Sequence, residues 1–215
     1  LPNIIQKIDV AKLMILYVYG GTYVDLDSEC LKPIDELFNN NKIVLIKFNV
    51  NEIEKLLSFN TIYYDVLQNG LMASVEKHPF WKHCLNEWLN EDMSQGSFES
   101  RLKYIFRTTG PGLLTKAYYS YNDKNEIKLY DSTIIDPISW CDYENEKCTG
   151  TVCNKHYPNA YTVHHYGSKH STHNWSDNME KDIGVFLCKY KNMLTIFISL
   201  ILLFSVIYIF TFFYK

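Results

Sequence analysis

Asp25 and Asp27 stand one residue apart in Y-G-G-T-Y-V-D-L-D-S-E-C, residues 19–30, at the end of an apolar run and just after a glycine pair. In an extended strand alternate side chains share a face. Asp25 and Asp27 are therefore expected side by side, their Cα atoms about 6.5–7 Å apart, with Val24 and Leu26 turned to the core. Two carboxylates so placed repel and raise each other's pKa unless a cation joins them. Hard divalent ions such as Mg2+ or Mn2+ take oxygen ligands and share them with phosphates. The ends of strands in an open α/β sheet are also where ligands bind. The pattern points to a divalent ion bridging the pair to a diphosphate. As a tripeptide alone it better describes two surface aspartates in a turn with Ser28 and Glu29.

The elements around the pair read as alternating. Asn3 can cap a helix running to about Tyr19, which Gly20 and Gly21 stop. Thr22 to Leu26 is a short strand. Pro33 suits the first turn of a short helix through Phe38. The run K-I-V-L-I-K-F, residues 42–48, is a buried strand, and G-L-M-A-S-V-E, residues 70–76, is another. A helix opened by Pro79 carries Trp81, Leu85 and Trp88 on one face. The turn T-T-G-P feeds a further helix, and I-K-L-Y-D and N-A-Y-T-V-H-H-Y are the last strands. Strands alternating with helices predict an α/β fold with a largely parallel sheet. The polar stretch from Ser139 to Pro158 is expected to be an insertion or a lid.

A chain of 215 residues suffices for one medium domain, and its formal net charge of −3 gives no footprint for nucleic acid. From Asn192 to Tyr214 there is no charged residue, a stretch long enough to cross a bilayer as a helix. Two units are expected: a domain over 1–180 and a single C-terminal transmembrane helix over 192–214. Lys181, Lys189 and Lys191 precede the span, which leans towards a cytosolic domain. Cysteine use leans the other way. Cys141, Cys148 and Cys153 crowd one polar loop, and six cysteines beside a membrane span fit a lumenal, disulfide-permitting compartment. At least one disulfide is expected there. Zinc held by Cys148, Cys153 and His156 is the alternative, although the spacing lacks the usual C-x2-C pair. The sequon Asn174-Trp175-Ser176 has meaning only in a lumen.

The stretch K-I-D-V-A-K-L-M-I-L-Y-V-Y-G-G-T-Y-V-D-L-D resembles the DXD region of glycosyltransferase family 32, with Asp9, Leu16, Gly20, Gly21, Tyr23, Asp25 and Asp27 in matching places. N-G-L-M-A-S-V-E-K-H-P-F resembles that family's N-x-x-M-A-S segment, T-G-P its turn, and Y-T-V-H-H-Y its late histidine motif. Ordered matches over roughly residues 8–170 are more specific than any one of them.

The resemblance implies a GT-A fold, partial here because the family's N-terminal segment with its first strand and nucleobase contacts is missing. It implies a retaining, metal-dependent transferase using Mn2+ or Mg2+. Asp27 would ligate the metal directly. Asp25 would reach the metal, by way of water, or the ribose and sugar. His164 or its neighbour His165 would approach metal or diphosphate. Asp9 would hold donor-sugar hydroxyls. Lys12 stands where the family has arginine, keeping the charge without the bidentate fork, and Ile8 replaces a serine. Asp9 and Lys12, three apart on a helix, also suit an exposed ion pair. Gly21, Tyr23, Asn69, Thr109, Gly110 and Pro111 complete the substrate-side candidates. For the glycines and Asn69 a plain turn role is the competing assignment. The subgroup resembled most is the inositol phosphoceramide mannosyltransferases. The implied donor is GDP-mannose, with a UDP-sugar as the second choice, and the acceptor a lipid or glycan. The implied place is the Golgi or secretory lumen.

Two other functions fit parts of the pattern. A haloacid-dehalogenase-like phosphohydrolase also starts from D-x-D, but a helix and Gly-Gly precede the pair here and Glu29-Cys30 follow it. A non-catalytic, membrane-bound relative would tolerate Lys12, Ile8 and the absent N-terminal segment.

Overall fold

A computed structural model describes residues 1–38, 41–50, 65–97, 99–139 and 141–166, and in the C-terminal stretch 188–190, 192–194, 196–201, 203–205 and 207–208. The chain divides into two compact units, Leu1–Asp177 and Asn178–Lys215.

The first unit opens with helix α1, Ile4–Tyr19, whose N-cap is Asn3. Gln6 Oε1 accepts from the Asn3 backbone N–H at 3.3 Å, the reciprocal half of a capping box. Val10, Leu13 and Leu16 are buried, and so is a polar row at spacing three, Gln6, Asp9 and Lys12. The helix stops at Gly20, whose N–H donates to the Leu16 carbonyl at 3.0 Å. Gly20 has φ +63°, and a Cβ there would stand 2.6 Å from the Glu76 amide nitrogen. Only glycine lets the helix end press onto the neighbouring strand in this way.

Strand β1, Gly21–Val24, pairs antiparallel with β4, Leu67–Ser74. β4 pairs antiparallel with β3, Ile43–Lys47, and β3 runs parallel to β5, Ile127–Tyr130. The sheet order is β1-β4-β3-β5. The expectation of a largely parallel sheet is thus corrected: one of its three pairings is parallel. Alternation of strand and helix along a chain counts elements but does not fix strand direction, and β4 runs against both of its neighbours.

The apolar run of β3 has a direct reason. Ile43 and Leu45 face one side, with Leu13, Leu16, Phe80, Trp81, Cys84, Leu114 and Ala117. Val44 and Ile46 face the other, with Leu37, Leu71, Ala73 and Ile135. A strand covered on both faces is apolar at every position. The first cover is α1 with α2, Pro79–Leu89, and α4, Pro111–Ser120; α3, Arg101–Thr108, packs on α4. His78 caps α2, its Nδ1 accepting from the Phe80 N–H at 3.2 Å. The second cover includes the short turn Asp35–Phe38 and α5, Ser132–Ile135.

A second sheet has two strands, β2, Ser28–Cys30, and β6, Thr162–His164, paired antiparallel with Ser28 opposite His164. The segment expected to be an insertion or lid packs beneath it. It carries α6, Tyr143–Glu146, and α7, Gly150–His156. Ile138, Tyr143, Cys148, Cys153, Val163 and Tyr166 form a third apolar cluster. Cys148 and Cys153 are joined by a disulfide, so the alternative zinc site there is excluded: both sulfurs are already bonded. Cys30 and Cys84 are free.

In the second unit the described residues are helical, and Ile196, Phe197, Leu203, Phe204 and Tyr208 are exposed. Among the described residues no helix is long and apolar enough to cross a membrane. The span expected over 192–214 falls partly outside them, at 195, 202, 206 and 209–214, and the sequon at 174–176 falls wholly outside.

Candidate functional site

The two aspartates meet in a way the strand reading did not anticipate. β1 ends at Val24. Beyond it Asp25 donates its backbone N–H to the Gly70 carbonyl on β4 at 2.8 Å, and the Ser28 N–H closes a turn onto the Asp25 carbonyl at 3.1 Å. Leu26 sits at the tip of that turn with 105% relative exposure. The expectation that Leu26 faces the core is therefore wrong. Asp25 and Asp27 converge across a turn rather than by strand alternation.

His164 completes the group. It stands opposite Ser28 in the β2–β6 pair, and its Nε2 lies 2.9 Å from Asp27 Oδ1. One ligand atom from each of Asp25, Asp27 and His164 lies within 4.8 Å of the others. Two ligands at about 2.1 Å and a right angle are about 3 Å apart, which matches the His164–Asp27 separation. Two carboxylates and an imidazole fit a divalent cation. Of the two candidate histidines, His164 faces the aspartates, whereas His165 Nε2 is turned to Glu29 Oε2 at 2.8 Å.

Several neighbours hold this group. The Tyr23 hydroxyl donates to Asp25 Oδ1 at 2.6 Å. Burial, then the Asp25 hydrogen bond and the nearby carboxylates, pushes the Tyr23 phenol well above its ordinary value. The His164 backbone N–H donates to Asp136 Oδ1 at 3.0 Å. Asp136 follows α5 and is buried. Burial pushes its carboxyl up to about 6, against the lowering influence of His164. Burial also pulls the His164 imidazole down, but the Asp27 hydrogen bond and the charges of Asp136, Asp27 and Asp25 outweigh it, and the net direction is up.

Nothing in the sequence singled out Asp136 or Gly70. A Cβ at Gly70 would stand 2.9 Å from Asp25 Oδ2 and 3.1 Å from Gln68 Oε1. Gly70→Ala is expected to displace the Asp25 carboxylate. The metal concentration for half-maximal activity should rise about ten-fold, the usual cost of a neighbour that misplaces a ligand. A metal titration of activity checks it, and an unchanged midpoint would remove Asp25 from the ligand set.

A second polar cluster lies behind the first. Asp9 Oδ1 accepts from Asn69 Nδ2 at 2.9 Å and Asp9 Oδ2 from the Thr109 hydroxyl at 3.1 Å. Lys12 Nζ is 3.0 Å from Asp9 Oδ1, and both side chains are 4% exposed. The exposed ion pair entertained from the helix spacing is thus a buried one. Burial raises the Asp9 carboxyl above its ordinary value, and Lys12, Thr109 and Asn69 offset that only in part. Lys12 Nζ also sits 4.9 Å from the centre of the Tyr23 ring, which links the two clusters. Asn69 lies within β4 rather than in a turn. Gly110 and Pro111 serve the start of α4 as N-cap and first residue, and Gly21 opens β1 opposite Ser74.

The family model described as "Glycosyltransferase sugar-binding region containing DXD motif" matches residues 1–44. Inositol phosphoceramide mannosyltransferase 1 of Schizosaccharomyces pombe is 32% identical over 122 residues, 56% of this chain and 32% of that protein. Initiation-specific alpha-1,6-mannosyltransferase of Candida albicans is 41% identical over 49 residues, 23% of this chain and 13% of that protein. The chain spans a third or less of the length of these two relatives. Among solved structures, PaToxG Glycosyltransferase covers 54% of this chain and 34% of its own at 16% identity, with a TM-score of 0.35, too loose a likeness to assign a fold. Residues 1–44 are thus similar to the sugar-binding region of glycosyltransferases that contain the DXD motif, and Asp25-Leu26-Asp27 lies inside the matched region.

Proposed function

We propose that residues 1–180 are the catalytic domain of a metal-dependent, retaining glycosyltransferase of GT-A type. It moves mannose from GDP-mannose to a lipid-linked or glycan acceptor. The observation that carries this reading is the convergence of Asp25 and Asp27, from one turn, and His164, more than a hundred residues later, onto one spot. Asp25, Asp27 and His164 would hold Mn2+ or Mg2+, and the imidazole favours Mn2+ over Mg2+. When bound, the ion neutralises charge on a departing diphosphate. The acceptor oxygen bonds to the sugar C1 as the C1–phosphate oxygen bond breaks. The bonding pair leaves with the nucleoside diphosphate, and the acceptor's proton passes to that departing oxygen. Asp9, oriented by Asn69, Thr109 and Lys12, would hold donor-sugar hydroxyls.

The named relatives support mannose, and the first of them supports an inositol phosphoceramide, that is a sphingolipid, as acceptor class. The uncharged stretch from Asn192 to Tyr214 supports a membrane anchor. The Cys148–Cys153 disulfide supports a lumenal site in the secretory pathway. Extraction at alkaline pH, which releases proteins that do not span the bilayer, checks the anchor.

The test uses the full-length protein with GDP-mannose, Mn2+ and lipid vesicles. GDP release and transfer of labelled mannose are expected, both stopped by chelation and restored by Mn2+. Release from a UDP-sugar instead would move the donor. No release from any nucleotide-sugar, or release that ignores chelation, would overturn the reading.

A further inference from the structure

Glu29 plays no part in the chemistry above, yet both of its carboxylate oxygens are committed. It is the middle residue of β2. Its Oε2 lies 2.8 Å from His165 Nε2, and its Oε1 accepts from the Gly150 N–H at 2.7 Å. Gly150, with φ +52°, lies inside the segment closed by the Cys148–Cys153 disulfide. Cys153 is fully buried in the third apolar cluster. The other end of the connection reaches the candidate metal group twice. His165 donates its backbone N–H to the Asp27 carbonyl at 2.8 Å, and His164, the residue before it, faces the Asp27 carboxylate. One side chain therefore ties the turn that carries Asp27 and the strand end that carries His164 to a covalently closed loop.

We infer that Glu29 is a positioning residue for the Asp25–Asp27–His164 group, and that the disulfide-closed segment 148–153 is the support from which it acts. This rests on the reading of that group as a metal site. Without Glu29, the His165 ring keeps only the longer contact of its Nδ1 with the Tyr143 hydroxyl at 3.4 Å, and the strand end carrying His164 loses its tie to the disulfide-closed segment, which loosens its placement against Asp27. Ligand separations near 3 Å do not survive such a shift.

The test is Mn2+ affinity, measured by paramagnetic resonance titration of the full chain without donor, with circular dichroism to confirm folding. Glu29→Ala is expected to weaken Mn2+ about ten-fold. Turnover at saturating Mn2+ should stay close to that of the unaltered chain, so that KM for the metal moves and kcat does not. Glu29→Gln, which keeps one acceptor for Gly150, should lose less and covers the case in which the alanine variant fails to fold. Replacing Cys148 and Cys153 together by serine should weaken Mn2+ to a similar degree. Combining that pair with Glu29→Ala should add nothing, since both act along one connection. Unchanged Mn2+ affinity in the folded Glu29 variants, or losses that multiply, would overturn the inference. Asp27→Asn separates the two levels. If it loses Mn2+ while the Glu29 variants do not, only this inference fails; if it binds Mn2+ normally, the metal site itself is refuted.

Discussion

Asp27→Asn in the full-length protein is expected to lower transfer at least about a thousandfold, equivalent to about 4 kcal/mol of transition-state stabilisation, with the fold retained. Asparagine keeps the shape of the side chain and loses its charge. The loss is felt twice, because Asp27 Oδ1 is both a candidate ligand and the partner of His164 at 2.9 Å. A diphosphate that must leave without a neutralising ion carries its full developing charge. Stability should change little or rise slightly in metal-free protein, since Asp25, Asp27 and Asp136 repel one another. Asp25→Asn acts in the same direction and less strongly, because the Tyr23 hydroxyl can still donate to the amide oxygen. The check is turnover with saturating Mn2+, and near-normal rates in either variant would remove the pair from catalysis.

Lys12→Met should cost about 3 kcal/mol of folding stability at pH 7, the range found when one partner of a buried ion pair is removed. Asp9 would be left 4% exposed against two neutral donors, Asn69 and Thr109. The pH dependence has a definite sign. Burial already raises the Asp9 carboxyl above its unfolded value of 3.8, with Lys12 the largest opposing influence. Without Lys12 the folded value climbs further. A carboxyl raised on folding contributes stability that is present in full below its unfolded pKa and is lost as pH rises through the folded one. The deficit of Lys12→Met relative to the unaltered chain should therefore shrink as pH falls from 7 towards 4. Urea midpoints across that range measure it, and a deficit independent of pH would show that Asp9 is not the responsible group. Lys12→Arg keeps the charge and should cost less, although the larger guanidinium must fit a site with no open face.

How much of this was legible in the sequence divides by range. Local signals were reliable. The cap at Asn3, the apolar run of β3 and Pro79 at the start of α2 each announced an element whose cause lies within a few residues. The D-x-D pair was legible as chemistry but not as geometry. The period-two reading carried the strand through Leu26, whereas the Ser28–Asp25 hydrogen bond ends it in a turn and leaves Leu26 in solvent. Sheet direction was not legible, because antiparallel β4 is defined by partners on both sides. The competing assignment of Asp9 and Lys12 as an exposed ion pair failed for a similar reason. Their burial is set by Asn69 and Thr109, 60 and 100 residues away from Asp9. Asp136 and Gly70 carry no local mark at all, since each matters only through what the fold sets against it.

The two aspartates are rooted in different sheets. Asp25 hangs from Gly70 of the four-stranded sheet, and Asp27 is held by His165 just beyond the two-stranded one. The candidate ion site thus lies at a seam between the two sheets, and a bound ion would couple their opening. The smaller sheet has three residues in each strand and should be the first to open. Ion binding would then act as a clasp: by linkage it would stabilise the paired arrangement by RT ln(1 + [L]/Kd), and that gain is expected to fall on the smaller sheet. Amide exchange at Val163 and His165 should slow when Mn2+ is added, while exchange at Leu45 and Met72 stays as it was. Equal slowing at all four would mean that the protein opens only as a whole. A fold built this way is expected to lose the candidate ion site before the four-stranded sheet opens, so that ion binding, rather than melting temperature, would set the temperature at which the site stops working.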